Sequence, residues 1–105
     1  MHVLLNADPH SDGRHQMAEH LEAVVLHALA RYREQVTRVE AHIADESSHA
    51  HSQPGQVQCT LEARLVGLEP VVVKDHAATA HQAIHEAVGK LQRAIGTALG
   101  KHADH

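Results

Sequence analysis

The spacing of apolar residues along this chain changes several times, and each change predicts a boundary between secondary-structure elements. Residues His2–Asn6 form a short apolar run that predicts a strand. After a turn-forming segment, Arg14–Gln35 carries apolar side chains at spacings of three and four, typical of a helix with one buried face. Asp12 is the predicted N-cap of this helix. Its apolar positions are Met17, Leu21, Val24, Val25, Ala28, Leu29 and Tyr32.

The next part of the chain alternates with a period of two, which is typical of half-buried strands. Val36–Ala44 places Val39, Ala41 and Ile43 on one face. The alternation returns from Gln56 to Leu65, after the polar segment Asp45–Gly55, whose Pro-Gly ending favours a hairpin loop. The pattern therefore predicts two antiparallel strands joined by a long loop.

The last part of the chain reads as a strand followed at once by a helix. Pro70–Asp75 is the predicted strand, and Thr79 with Gln82 three residues later forms a capping box for a helix that continues to His102. The apolar face of this helix consists of Ile84, Val88, Leu91, Ile95 and Leu99. The order of elements is β-α-β-β-β-α.

This order predicts an α+β fold in which both helices pack on one face of a four-stranded sheet. With 105 residues the chain has room for one domain, residues 1–105. The other sheet face should be polar, and opposite charges on neighbouring strands can pair across it. The polar face is predicted to contain Arg38, Glu40, His42, Glu62 and Arg64.

Composition narrows the possible chemistry. The chain has no Trp, no Phe and one Tyr, which argues against binding single-stranded nucleic acid through stacked bases. Its one cysteine, Cys59, lies at an inward strand position, where a thiol usually acts as a small apolar residue. No nucleophile motif or phosphate-binding loop is present, so we expect a protein that is not an enzyme and needs no cofactor. Neither a signal peptide nor a membrane-spanning run is evident, which favours a soluble cytoplasmic protein.

Histidine is the most unusual feature of the composition. The formal net charge is −4, but thirteen histidines are uncounted in it, and near pH 6 they would make the molecule cationic. His81 and His85 are four residues apart on the second predicted helix, and His49 and His51 are two apart in the polar loop. His102 and His105 are three apart at the end of the chain. Such spacings suit metal ligands but also arise by chance in so histidine-rich a chain, so no metal site is predicted.

Three segments resemble the short form of the ribosome hibernation promoting factor and ribosome-associated inhibitor A family, also called the sigma-54 modulation protein family. They are residues 36–46 (VTRVEAHIADE), residues 59–73 (CTLEARLVGLEPVVV) and residues 83–93 (AIHEAVGKLQR), the last of which is similar to the Lys-Leu-x-Arg ending of the family's second helix. No single motif is specific, but the order of elements and the closing helix agree with the family over nearly the whole chain.

The resemblance implies a β-α-β-β-β-α fold and a function in ribosome hibernation. Members of this family bind the small ribosomal subunit and its rRNA in the channel between the subunits, and so repress translation in idle cells. Short members of the family lack the second domain that pairs ribosomes in long members, and we expect no binding to DNA or to a membrane. Because RNA binding relies on phosphate neutralisation, the candidate RNA-binding residues are the cations at the end of the first predicted helix and along the second. These are Arg31, Arg33, Lys90, Arg93 and Lys101.

The low number of cations suggests a more specific hypothesis about RNA binding and leaves two alternative functions open. Histidines could supply the missing positive charge when the cytoplasm acidifies, so that RNA binding is weak at pH 7.5 and strong near pH 6. Alternatively, the chain has lost rRNA binding and is a protein interaction module, possibly a homodimer, that uses its polar sheet face or a sheet edge. A histidine-rich metal buffer is a third possibility.

Overall fold

The computed structural model describes residues 1–7, 13–45 and 56–103 of the chain. The first half contains strand β1 (His2–Asn6), helix α1 (Arg14–Ala28), a short 3₁₀ turn (Ala30–Tyr32) and strand β2 (Val36–Asp45). The second half contains strands β3 (Val57–Leu65) and β4 (Val71–Ala77) and helix α2 (Ala80–Ala103). The predicted α+β architecture and element order are confirmed.

The four strands form one mixed sheet in the order β1-β2-β3-β4. Strand β1 pairs parallel to β2, while β2, β3 and β4 pair antiparallel. A parallel pair requires a crossover connection, and α1 supplies it. Strand order thus follows chain order throughout.

Aliphatic side chains from both helices and from the inward rows of the strands form the core. Val39 and Ala41 of β2 and Leu61 and Ala63 of β3 are completely buried beneath the helices. The fully buried helix residues include Leu21 and Val25 of α1 and Ile84, Leu91 and Ile95 of α2. Each fully buried Val, Leu or Ile contributes roughly 1.5 to 3 kcal/mol through the hydrophobic effect. Neither helix of the described chain is long and apolar enough to cross a membrane.

Helix α1 differs from its prediction at the C-terminal end. It was expected to continue to Gln35 but ends at Ala28, and the chain tightens into the 3₁₀ turn, where the Tyr32 amide donates to the Leu29 carbonyl at 2.9 Å. The Gln35 carbonyl then accepts the Val66 amide, also at 2.9 Å. The bond to Val66 depends on how this segment meets the sheet, and the helical spacing of apolar residues does not indicate that.

The start of α1 is placed differently from the prediction as well. The predicted cap, Asp12, lies outside the described residues. Gly13 occupies the N-cap position with a positive φ of 75°, a conformation that glycine adopts without steric cost, and its carbonyl accepts the Met17 amide at 2.8 Å. The predicted loop at residues 46–55 also lies outside the described part of the chain, and Asp45, assigned to that loop, is the last residue of β2.

The strand-to-helix junction before α2 confirms the predicted cap. The Thr79 hydroxyl accepts the Gln82 backbone amide at 3.2 Å, and the Thr79 carbonyl accepts the Ala83 amide at 3.0 Å. Strand β4, however, extends two residues beyond the predicted end, to Ala77. Alternation in β4 places Val71, Val73 and Asp75 towards α2.

The outer sheet face is polar as predicted, but its charges are arranged differently. Arg38 lies directly opposite Arg64, and Glu40 lies opposite Glu62. Like charges therefore face each other across β2 and β3, and the expected pairing of opposite charges between strands is wrong. Ion pairs run along each strand instead, from Arg38 to Glu40 at 2.6 Å and from Arg64 to Glu62 at 3.7 Å. Pairing within the strand is possible because residues two apart share a face.

Close packing between the 3₁₀ turn and α2 leads to a prediction about Gly96. A Cβ added there would lie 2.9 Å from the Tyr32 hydroxyl, whereas one added at Gly89 makes only an ordinary contact with Arg93. We expect Gly89→Ala to raise the free energy of unfolding by about 0.5 to 1 kcal/mol, through helix propensity. Gly96→Ala should gain less stability or lose some. Adding Tyr32→Phe to Gly96→Ala removes the crowded hydroxyl and should restore the gain in stability seen with Gly89→Ala. Urea denaturation of the single and double variants tests this; equal gains for both alanines would contradict it.

Burial of the only cysteine leads to a second prediction. Cys59 is completely buried, and desolvation, followed by the charge of Asp75 on the neighbouring strand, raises its pKa to about 12. The thiol should therefore react with a maleimide or disulfide reagent at pH 8 only when the protein unfolds. The labelling rate should rise in parallel with global unfolding in urea. Rapid labelling of the native protein would show that the site opens locally.

Candidate nucleic-acid interface

Lys90, one of the five candidate RNA-binding residues, is occupied in a contact between α2 and β4. Its ammonium donates to the Lys74 carbonyl at 2.9 Å and lies 3.7 Å from the Asp75 carboxylate. The alternation of β4 brings Asp75 to the helix side, and Lys90 lies above it on α2. Lys90 therefore fastens α2 to the edge strand and has less freedom than the other candidates to bind a phosphate.

Arg31 is brought to α2 by its neighbour Tyr32. The Arg31 guanidinium lies 5.4 Å from the centre of the Tyr32 ring, within the range of a cation–π contact. The Tyr32 hydroxyl lies against Gly96, where the missing side chain leaves room for it. The 3₁₀ turn thus places a cation from the first half of the chain beside the second half of α2.

Four exposed cations lie along the second half of α2 and in the turn segment that contacts it. Arg93 is one helical turn before Gly96 and Lys101 is five residues after it, which corresponds to roughly 5 and 8 Å along the helix axis. Arg31 and Arg33 flank Tyr32 in the first half of the chain. All four are exposed, and none forms an ion pair with another described residue. We call Arg31, Arg33, Arg93 and Lys101 the basic end.

Two carboxylates, Glu34 and Glu69, lie in the turns at the same end of the sheet and reduce its net positive charge. On the outer sheet face, Glu40 and Glu62 are each paired with an arginine of their own strand. Glu40 accepts bonds from Arg38 and from the Asn6 amide, and these bonds hold the pKa of its carboxyl below the usual value. His42 lies 3.8 Å from the same carboxylate. No described residue balances a cation of the basic end through a direct ion pair.

Histidines from both helices meet at the other end of the α1–α2 contact. The ring centre of His20 lies 4.3 Å from that of His81 and 5.1 Å from that of His85. The sequence paired His81 with His85 but gave no signal for His20, which has no histidine three or four residues away. Only the packing of α1 on α2 brings it to the other two.

Other histidine pairs give no metal site in the described chain. His49 and His51 lie outside the described residues, as do the side chain of His102 and all of His105. Within residues 1–7, 13–45 and 56–103, no three His, Cys, Asp or Glu side chains are arranged to hold a metal ion. The buried Cys59, with its raised pKa, is also unsuited to act as a nucleophile.

An apolar groove separates the histidine contact from the Tyr32 contact. Its volume is about 380 Å³, and Ala23, Val24 and Ala28 of α1 and Val88 and Gln92 of α2 line most of it. The histidine contact, the groove and the Tyr32 contact follow one another along the seam. The first joins the early residues of both helices, and the last joins the turn after α1 to the second half of α2. The two helices therefore run in the same direction across the sheet.

Comparisons with known proteins reveal likeness at the level of structure. The N-terminal domain of Protein Y from Thermus thermophilus superposes with a TM-score of 0.65 and 16% identity, over 89% of this chain and 93% of that domain. A ribosomal subunit interface protein from Coxiella burnetii superposes with a TM-score of 0.63 and 13% identity, over the full length of both chains. No protein-family model and no curated protein sequence matches this chain. This chain shares the fold of those two proteins, in agreement with the resemblance found in its sequence.

The contact between Lys90 and β4 leads to a prediction that separates it from the basic end. Lys90→Ala should lower the free energy of unfolding by about 0.5 to 1.5 kcal/mol, because it removes a hydrogen bond and a partly exposed ion pair. Lys101→Ala, which removes an unpaired lysine from the same helix, should change it by no more than about 0.5 kcal/mol. Thermal or urea denaturation measures both. Equal effects would show that the Lys90 contact contributes nothing to stability.

Proposed function

We propose that this chain is a cytoplasmic, non-enzymatic, ribosome-associated hibernation-type factor of one domain that binds the small ribosomal subunit and represses translation in idle cells. The observation that carries the proposal is the shared fold, which extends over nearly all of this chain and over nearly all of a ribosomal subunit interface protein. The residue patterns that resemble the hibernation factor family support it independently, since they were found in the sequence alone.

The charge distribution suggests how the protein would contact rRNA. Phosphates are neutralised by lysine and arginine side chains that are free to reach them. The four residues of the basic end meet this requirement, whereas Lys90 is engaged by Lys74 and Asp75. We therefore assign the main rRNA contact to Arg31, Arg33, Arg93 and Lys101, with Lys90 in a supporting structural role.

Surface histidines would strengthen this contact at low pH. His42, His76, His81 and His85 are exposed, and histidine is the side chain whose charge ordinarily changes between pH 5 and 8. Acidification would therefore reduce the repulsion between a chain of net charge −4 and an RNA polyanion. Binding should be weaker at pH 7.5 than at pH 6.0, and it should weaken further as salt is added.

Sedimentation with isolated ribosomes through a sucrose cushion tests the proposal. The purified chain should pellet with the small subunit in low salt, more strongly at pH 6.0 than at pH 7.5. The double variant Arg93→Glu with Lys101→Glu should lose at least tenfold in affinity, since it reverses two charges at the proposed interface. An in vitro translation assay with the same variants reports repression.

A matched control separates local contact from general charge. Arg64→Glu with Lys74→Glu reverses two charges on the outer sheet face and changes the net charge by the same amount. This control should bind nearly as well as the unchanged chain. Equal losses in both double variants would show that only overall charge matters, and no pelleting of the unchanged chain under any condition would refute the proposal.

The outer sheet face favours a protein interaction module as the second candidate function. The arginine row, Arg38 and Arg64, runs beside the glutamate row, Glu40 and Glu62. A second copy turned by a two-fold axis between these rows would place arginines opposite glutamates. A stable dimer in native mass spectrometry, abolished by Arg38→Glu, together with no ribosome binding, would favour this candidate.

A further inference from the structure

Three imidazole rings form the contact between the N-terminal halves of α1 and α2. His20 is partly buried and is tilted against His81 by 54° and against His85 by 56°. Its Nε2 atom is buried and has no hydrogen-bond partner in the described structure. A proton added to this nitrogen would find no acceptor, and burial of an unpaired cation is costly.

Among residues 1–7, 13–45 and 56–103, no carboxylate acts on His20 to compensate such a charge. One turn away on α1 lie Gln16, Met17, Ala23 and Val24, none of which titrates. Glu19, the nearest acid in α1, is directed to His15 at 3.0 Å.

The groups that face His20 from α2 are His81 and His85. The inward residues of β1, Val3 and Leu5, are apolar. Desolvation, followed by the charges of His81 and then His85, lowers the pKa of His20.

We propose that His20, His81 and His85 form an acid-sensitive contact between α1 and α2, closed while the three imidazoles are neutral and opened when they take up protons. Next to this contact the seam between the helices contains the apolar groove, while Leu21 and Val25 hold α1 on the sheet. Opening would enlarge the groove and loosen the first half of α1, while Tyr32 keeps the other end on α2.

The direction of the pH dependence follows from the lowered pKa of His20. The unfolded chain binds a proton at His20 more readily than the folded chain does. The stability that the folded state owes to a neutral His20 is therefore fully present above the unfolded pKa, near 6.5. It is lost as the pH falls from there through the lower pKa of the folded state. Each pH unit between the two values reduces the folding equilibrium constant tenfold.

This effect is separate from ribosome binding and opposes the proposed gain in surface charge. At pH 6 the exposed histidines would favour contact with RNA, whereas the inter-helix contact would begin to open. The histidine contact depends on the fold alone and can be measured without a ribosome. Failure of ribosome binding would leave it standing.

Urea denaturation at pH 7.5 and pH 5.5, in the presence of a chelator, tests the proposal. His20→Phe keeps an aromatic ring in the contact but removes the titrating group. The variant should lose less stability on acidification than the unchanged chain, and the difference should correspond to a several-fold change in the folding equilibrium constant. His2→Gln, which removes an exposed histidine of β1, should behave as the unchanged chain does. Equal losses for all three proteins would overturn the proposal.

Two further measurements keep the proposal testable if His20→Phe does not fold. Proton NMR titration of the unchanged chain, with the His20 ring assigned through His20→Gln, should give a midpoint below that of an exposed histidine. Hydrogen exchange at pH 5.5, corrected for intrinsic rates, should show protection lost in the first half of α1 before β2 and β3. An ordinary midpoint, or simultaneous loss of protection in all elements, would refute the proposal.

Discussion

Aliphatic packing between two helices and one sheet face is the constraint on which the rest of this molecule depends. With no Phe or Trp, small and branched side chains must fill the interior, and close approach of the elements is needed to exclude voids. Ala41 and Ala63 occupy the centre of the sheet without exposure, so the helices can lie close above them. The only tyrosine, Tyr32, remains at the margin, where Gly96 makes room for its ring.

Because apolar side chains fill the space between the helices and the sheet, charged and histidine side chains lie at the margins of this core. Lys90 and Asp75 join α2 to the edge strand, while His20 meets His81 and His85 at the seam between the helices. Four of the cations with no ion pair in the described chain, the basic end, lie along the second half of α2 and in the turn segment that contacts it. A chain with an acidic net charge can therefore still present a local cationic surface, because interactions with phosphates depend on nearby groups more than on distant ones.

Several features could be predicted from periodicity because they depend on residues close in sequence. The strand His2–Asn6 and the Thr79 cap are confirmed, since an apolar run and a local hydroxyl-to-amide bond are sufficient to specify them. The end of α1 could not be predicted in this way. Its apolar stripe continues to Tyr32, but the chain leaves the helix after Ala28 so that Tyr32 can reach α2 and Gln35 can bond to Val66.

By itself the sequence determined the fold class, the order of elements and which face of each element is buried, because apolar periodicity is a property of the local chain. Only the tertiary structure decided which polar side chains meet. Strand register placed Arg38 opposite Arg64, and helix packing brought His20 to His81. The position of β4 beneath α2 allowed Lys90 to donate to the Lys74 carbonyl. These contacts join residues far apart in sequence, and their distances depend on register and helix rotation, which no local pattern records.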